Sequence, residues 1–137
     1  MPVSPKRKKL REYGFPTDHS VFVIAEMGIN HGGSIDVAKK LIDAAARAGA
    51  DAVKFQTYRT EKRVPLGSPI FDILKQCELP LSAFTELKAY TMRYPAVTFF
   101  STPFDEESAA YLNSIGCTMY KIASFDIVNH KLIDAIA

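Results

Sequence analysis

The sequence predicts an α/β protein made of parallel (β/α) units, about half of a (β/α)8 TIM barrel. Three observations lead there. Four short apolar runs each end abruptly in a polar cluster: 21–25 before Glu26-Met27-Gly28-Ile29-Asn30-His31, 51–53 before Lys54-Phe55-Gln56-Thr57-Tyr58, 97–100 before Ser101-Thr102-Pro103-Phe104-Asp105, and 119–120 before Lys121-Ile122-Ala123-Ser124. The gaps between the runs hold helix-like segments. Four such units in 137 residues match half of the roughly 250 residues of a full barrel. The competing architecture, an open four-stranded parallel sheet, would leave two bare edges and an uncovered face. The chain is therefore expected to be a truncated part of a longer barrel.

The elements follow in chain order. Residues 1–19 hold Pro2, Pro5, Gly14 and Pro16 without a sustained period and are expected to form a basic tail ahead of a domain at 20–137. Residues 21–25 form a β-branched apolar run, which suits a strand buried on both faces. Ser34 is a good N-cap, Asp36 complements the helix dipole, and Val37, Leu41, Ala44, Ala45 and Ala48 recur at helical spacing up to Gly49. A strand over 52–57 completes a βαβ unit. Pro65, Gly67 and Pro69 mark a loop, and 70–77 suits a short helix. Ser82 is expected to cap a helix carrying Phe84, Leu87, Thr91 and Met92, which Tyr94-Pro95 stops. Residues 97–100 form the third strand. Asp105 caps the next helix, with Glu106 and Glu107 in its first turn and Gly116 past its end. A fourth strand is expected over 118–123, and Asn129 opens a last helix with Leu132, Ile133 and Ile136.

Composition narrows the function classes. The hydrophobic fraction of 47% and charged fraction of 23% are ordinary for a globular domain. No apolar stretch reaches the roughly 20 residues of a membrane helix, and the N-terminus has no signal core. A cytoplasmic protein that touches no membrane is expected. Cys77 and Cys117 are far apart in sequence and read as free thiols in a reducing compartment. The net charge of +2 comes from residues 1–11: Lys6, Arg7, Lys8, Lys9 and Arg11 stand there without an acid, leaving 12 basic against 15 acidic side chains after residue 11. No nucleic-acid footprint follows.

The strand tips carry the candidate chemistry. Lys54 and Gln56 are two apart, so they share one face of their strand. A lysine is almost never buried without a partner, so this one predicts either an internal salt bridge or an anionic ligand. Lys121 repeats the arrangement one strand later, and two converging lysines would suit phosphate or carboxylate. Glu26 either pairs with one of them or serves as an acid/base group. His31 is either a turn residue or a ligand. Ser101, Thr102 and Ser124 suit phosphate oxygens but also suit helix capping, and Asp105 is assigned to capping. No zinc pattern, Walker loop, nucleophile elbow or dinucleotide glycine fingerprint is present.

Four motifs in order, A-E-M-G-I-N-H at 25–31, A-G-A-D-A-V-K-F-Q-T-Y at 48–58, F-S-T-P-F-D at 100–105 and Y-K-I-A-S at 120–124, closely resemble the sialic acid synthase family over about 21–137. The resemblance implies the first half of a (β/α)8 barrel that is followed, in that family, by an antifreeze-like domain. It also implies a C–C bond-forming condensation of phosphoenolpyruvate with an N-acetylated amino sugar, N-acetylmannosamine or a relative, to a nonulosonic acid and phosphate. Matched position by position, it makes Lys54 and Lys121 the lysines that hold phosphoenolpyruvate. Thr102 and Ser124 become hydroxyl contacts, Gln56 a neighbour of the ligand, and Glu26 the active-site glutamate. A divalent metal, Mn2+ or Mg2+, is implied for the full-length enzyme with no ligands in this chain, as is a homodimer. The chain alone is expected to be inactive. Two departures bear on the sugar: no asparagine of the sugar-binding region precedes the second helix, and Phe125 stands where many sialic acid synthases have glycine, as in pseudaminic acid synthases. Two other functions fit the same tips: an aldolase using a lysine Schiff base, or a non-catalytic anion-binding fragment.

Overall fold

A computed structural model describes residues 21–137; the expected tail lies outside them. Its centre is a three-stranded parallel sheet, order β1-β2-β3, from Ile24–Gly28, Ala52–Thr57 and Thr98–Pro103. Between β1 and β2 runs α1, Ile35–Arg47; between β2 and β3 lie α2, Thr60–Arg63, α3, Phe71–Cys77, and α4, Leu81–Thr91. After β3 come α5, Glu106–Ser114, a short 3-10 turn at Ser124–Val128 and α6, His130–Ile136. The α/β class and parallel pairing match the sequence expectation.

The pleat divides the sheet into two faces with different chemistry. Val53, Phe55 and Phe99 join Ala38, Ile42 and Ala45 of α1, Phe84 and Leu87 of α4, and Leu112 of α5 in one buried core. Phe55 and Leu87 have no exposed surface. The opposite face carries Lys54, Gln56, Phe100 and Thr102, which the β2–β3 register pairs as Lys54 with Phe100 and Gln56 with Thr102. Burying a set this large, at about 25 cal/mol per Å2, is what fixes which face turns to the helices.

Caps set the helix ends much as the sequence indicates. Ser34 accepts from the Val37 N–H at 3.2 Å, and Asp105 accepts from the Ser108 N–H at 2.8 Å. Asn129 accepts from the Leu132 N–H at 3.3 Å. Gly49 and Gly116 follow their helices at φ +81° and +73°, a region that disfavours a Cβ.

Three expectations are corrected. The first strand is Ile24–Gly28, displaced toward the polar tip, and Val21 is 82% exposed. It is the edge of the described sheet, and with Ile24 at 39% exposed and Glu26 open to solvent it is not buried on both faces. Its start is fixed by Asp51, whose carboxylate accepts from the Val23 N–H at 2.7 Å. The fourth strand reduces to one bridge between Ser101 and Tyr120, with the Lys121 N–H donating to the Ser101 carbonyl at 3.1 Å. Among the described residues this segment has a neighbour on one side only, and its apolar run is two residues long. Helix α4 starts at Leu81 behind Pro80, so Ser82 lies inside it and caps nothing. Helix α2 lies just ahead of the expected loop, in a stretch for which the sequence indicates no element. No apolar period marks it; Glu78, 18 residues away, accepts from its Thr60 N–H at 2.9 Å and Thr60 hydroxyl at 2.7 Å.

Candidate active site

The polar face of the sheet brings three of the candidate residues into contact. Glu26 on β1 lies opposite Lys54 on β2 in the register, and Thr102 is two residues along β3 from Phe100, the residue opposite Lys54. The Lys54 Nζ stands 2.8 Å from the Glu26 carboxylate and donates to the Thr102 Oγ1 at 3.4 Å. The internal ion pair foreseen for this lysine is therefore present. It is lopsided: the Lys54 side chain is 6% exposed and that of Glu26 is 61% exposed. An ammonium has three N–H donors. Two are engaged, and the third has no partner among the described residues.

Gln56 sits two residues farther out on the same face, half-buried. Its Oε1 accepts from the Arg63 Nη1 at 3.0 Å. The Arg63 guanidinium lies 3.8 Å from the centre of the Phe104 ring and 4.7 Å from that of Tyr58. Burial pushes its pKa down, with Tyr58 and Asp126 opposing, but an arginine stays charged. Sequence reasoning passed over Arg63, because it belongs to the four-residue helix that has no pattern of its own.

Lys121 and Ser124 stand apart from that contact set. Lys121 follows Tyr120 as Thr102 follows the bridged Ser101, which puts both on the same face. Its side chain is exposed and makes no ion pair or hydrogen bond among the described residues. Ser124 is exposed at the start of the 3-10 turn. Ser101 points the other way: fully buried, it shares a hydrogen bond of 2.8 Å with the Thr57 hydroxyl on the helix side. Asp105 is a cap, and it also accepts from the Arg59 N–H at 3.0 Å.

His31 is a buried turn residue. It is 3% exposed, and its Nδ1 accepts from the Gly33 N–H at 3.1 Å. The proton of the neutral ring therefore belongs on Nε2, which has no partner among the described residues. Burial pushes the His31 pKa down, partly offset by the Gly28 carbonyl. The tight path of this loop needs glycine at 33: φ is +79°, and a Cβ there would lie 2.4 Å from the Gln76 carbonyl oxygen.

Among the described residues no three His, Cys, Asp or Glu side chains converge as a metal would need. No helix there is long and apolar enough to cross a membrane. Cys77 and Cys117 are free. A 440 Å3 cavity opens at the entry end of β3, lined by Lys88, Thr91, Met92, Thr98 and Gly116, away from the strand tips.

The site can thus do two things chemically. It offers cationic and hydroxyl donors at the strand ends, and it sets one carboxylate beside them. Comparison with known proteins bears on what it acts upon. The chain is 36% identical over 129 residues to the N,N'-diacetyllegionaminic acid synthase of Campylobacter jejuni, covering 84% of this chain and 38% of that protein. It is 37% identical over 137 residues to a pseudaminic acid synthase of the same species, covering 90% and 40%. The crystal structure of an N-acetylneuraminic acid synthetase from Leptospira borgpetersenii, in complex with citrate, superposes with a TM-score of 0.80 at 41% identity, covering 84% of this chain and 40% of that one. The chain spans about a third to two-fifths of the length of the curated relatives it matches. The NeuB family model matches residues 41–137, all three strand tips after the first among them, and the chain belongs to the NeuB family.

Proposed function

We propose that this chain is the N-terminal part of a (β/α)8 barrel synthase that condenses phosphoenolpyruvate with an N-acetylated amino sugar to a nonulosonic acid and phosphate. The observation that carries the reading is the buried Lys54 ammonium at a strand end, held by Glu26 and Thr102 with one donor still uncommitted. A charge held in place beforehand, in a site that excludes water, stabilises developing charge without reorganising. Lys54, Thr102, Lys121 and Ser124 bind the carboxylate and phosphate of phosphoenolpyruvate, and Gln56 lies beside it. Glu26 orients the amino sugar or exchanges a proton with it. The new bond joins the enol carbon to the sugar aldehyde carbon. Water adds to the resulting cationic carbon, and its C–O bond to the phosphate breaks.

A divalent metal belongs to this reading only through residues outside those described, because those present do not form a site for one. No step above is routed through it. The reading also includes a homodimer and a cytoplasmic location. The test is release of inorganic phosphate from phosphoenolpyruvate by the full-length protein with added Mn2+. Release that requires an N-acetylated amino sugar and yields a nonulosonic acid supports the proposal. Release without sugar, or none with any amino sugar, refutes it. The 137-residue chain alone is expected to release none.

A further inference from the structure

We infer that Arg63 is a specificity-determining residue of this site, donating from its guanidinium to an acceptor oxygen of the second substrate, the amino sugar. The inference rests on the proposed reaction for the identity of that substrate.

The polar face has two layers. Lys54 and Thr102 form the deeper one. Two residues outward along each strand, about 7 Å, stand Gln56 and Phe104. Arg63 occupies this outer layer: it donates one N–H to Gln56 and its guanidinium stands over Phe104, 3.8 Å from the ring centre. Of its five N–H donors, the others have no acceptor among the described residues, and the guanidinium forms no ion pair there. The carboxylate whose charge it feels is Asp126. Asp126 is 7% exposed, and its Oδ2 has no hydrogen-bond partner among the described residues.

A half-buried cation with spare donors is costly unless something completes its hydrogen bonding. Phosphoenolpyruvate is matched by the lysines of the deeper strand ends. The outer layer has different chemistry: a planar donor fork, a primary amide, and an aromatic surface in which the exposed Phe125 stacks on Phe104 at 5.8 Å. Those groups fit an uncharged, open-chain sugar rich in hydroxyl and amide oxygens. A fork fixed by Phe104 and by Gln56 is preorganised, so a ligand loses little ordering entropy in meeting it.

The test uses the full-length protein with N-acetylmannosamine and a 2,4-diacetamido hexose as sugars. In Arg63→Met, the sugar KM is expected to rise at least tenfold while that for phosphoenolpyruvate stays within twofold, and Arg63→Lys is expected to recover little because the fork is lost. Equal shifts in both constants, or none, overturn the assignment. A second measurement needs no variant and no turnover: phenylglyoxal labelling of Arg63, followed by mass spectrometry. Either sugar is expected to slow the labelling, and inorganic phosphate is not. Shielding by sugar without any turnover would refute the proposed reaction and keep the assignment. Turnover with Arg63 unshielded and the sugar KM unmoved would do the reverse, and neither turnover nor shielding would refute both.

Discussion

The Lys54–Glu26 pair makes an asymmetric prediction, because its two ends sit in different solvents. Glu26→Gln keeps the side chain's shape and removes its charge. The Lys54 ammonium, 6% exposed, then loses its counter-charge and keeps only neutral acceptors, the new amide oxygen and the Thr102 hydroxyl at 3.4 Å. Breaking a fully buried pair costs about 3–5 kcal/mol. Here water already reaches the carboxylate end, 61% exposed, which lowers the expected loss to about 1–2 kcal/mol. Lys54→Met removes the buried charge, fills the same volume with an apolar chain and frees Glu26 to water, so stability should change by less than about 1 kcal/mol. Ligand binding should show the opposite order. Losing a charge-assisted contact is worth about 1.5–3 kcal/mol, or roughly 10- to 150-fold in affinity. Lys54→Met should therefore weaken phosphoenolpyruvate binding by that factor. The assays are urea unfolding and calorimetric titration of both full-length variants. If Lys54→Met is the more destabilised of the two, or binds phosphoenolpyruvate as the parent does, then the ion pair's burial does not work as reasoned here.

Three further outcomes are expected. Lys121→Ala in the full-length protein should also weaken phosphoenolpyruvate binding by about 1.5–3 kcal/mol, but with almost no change in stability, because its exposed side chain touches no partner among the described residues; unchanged KM and kcat would contradict the assignment. His31, held below its ordinary pKa of 6.5 by burial, takes up its proton more readily unfolded than folded. Its effect on stability is therefore absent above about pH 6.5 and becomes a loss as pH falls toward the lowered value, with a slope of at most about 1.4 kcal/mol per pH unit; His31→Gln should flatten that part of a urea-unfolding pH series, and an unchanged slope would count against it. Borohydride with a keto substrate should leave no stable adduct on Lys54 or Lys121, whereas an adduct found by mass spectrometry on either would favour the aldolase.

How much could be read from the chain depended on how local the cause was. Ser34, Asp105 and Asn129 act on N–H groups three residues away, so their capping roles are visible in sequence and hold in the structure. The Lys54 and Gln56 pairing on one face follows from the period of a strand alone. The resemblance to the sialic acid synthases is likewise a matter of local motifs. What escaped was set by distant contacts. Helix α2 depends on Glu78, which Lys75 also approaches at 3.3 Å, and nothing near Thr60 in the sequence announces it. Arg63 inherits that blindness. The apolar run at 21–25 reads as a buried strand, but burial is decided by neighbours, and among the described residues β1 pairs on its β2 side alone.

The adjacent hydroxyls of Ser101 and Thr102 show what the pleat does for function. One residue apart, they face opposite ways: Ser101 joins β3 to Thr57 among the helices, and Thr102 meets Lys54 on the open face. Mutations on the helix side are therefore expected to act through packing, and those on the open face through ligand contacts. Lys54 breaks this separation. It is as buried as the core residues yet stands on the open face, so its charge is compensated by groups that a ligand would also use. When an anion arrives, the uncommitted Lys54 donor is the one it can take without displacing Glu26. An anion that also displaced Glu26 would have to replace a 2.8 Å ion pair before gaining anything. Binding that preserves the pair leaves Glu26 anchored beside the ligand, where a carboxylate is useful to a second substrate carrying hydroxyls, and it makes Glu26 and Lys54 act as one unit. In a double-mutant cycle on phosphoenolpyruvate binding the two should couple by more than about 0.5 kcal/mol. Strict additivity would mean that the anion breaks the pair and that the glutamate works alone.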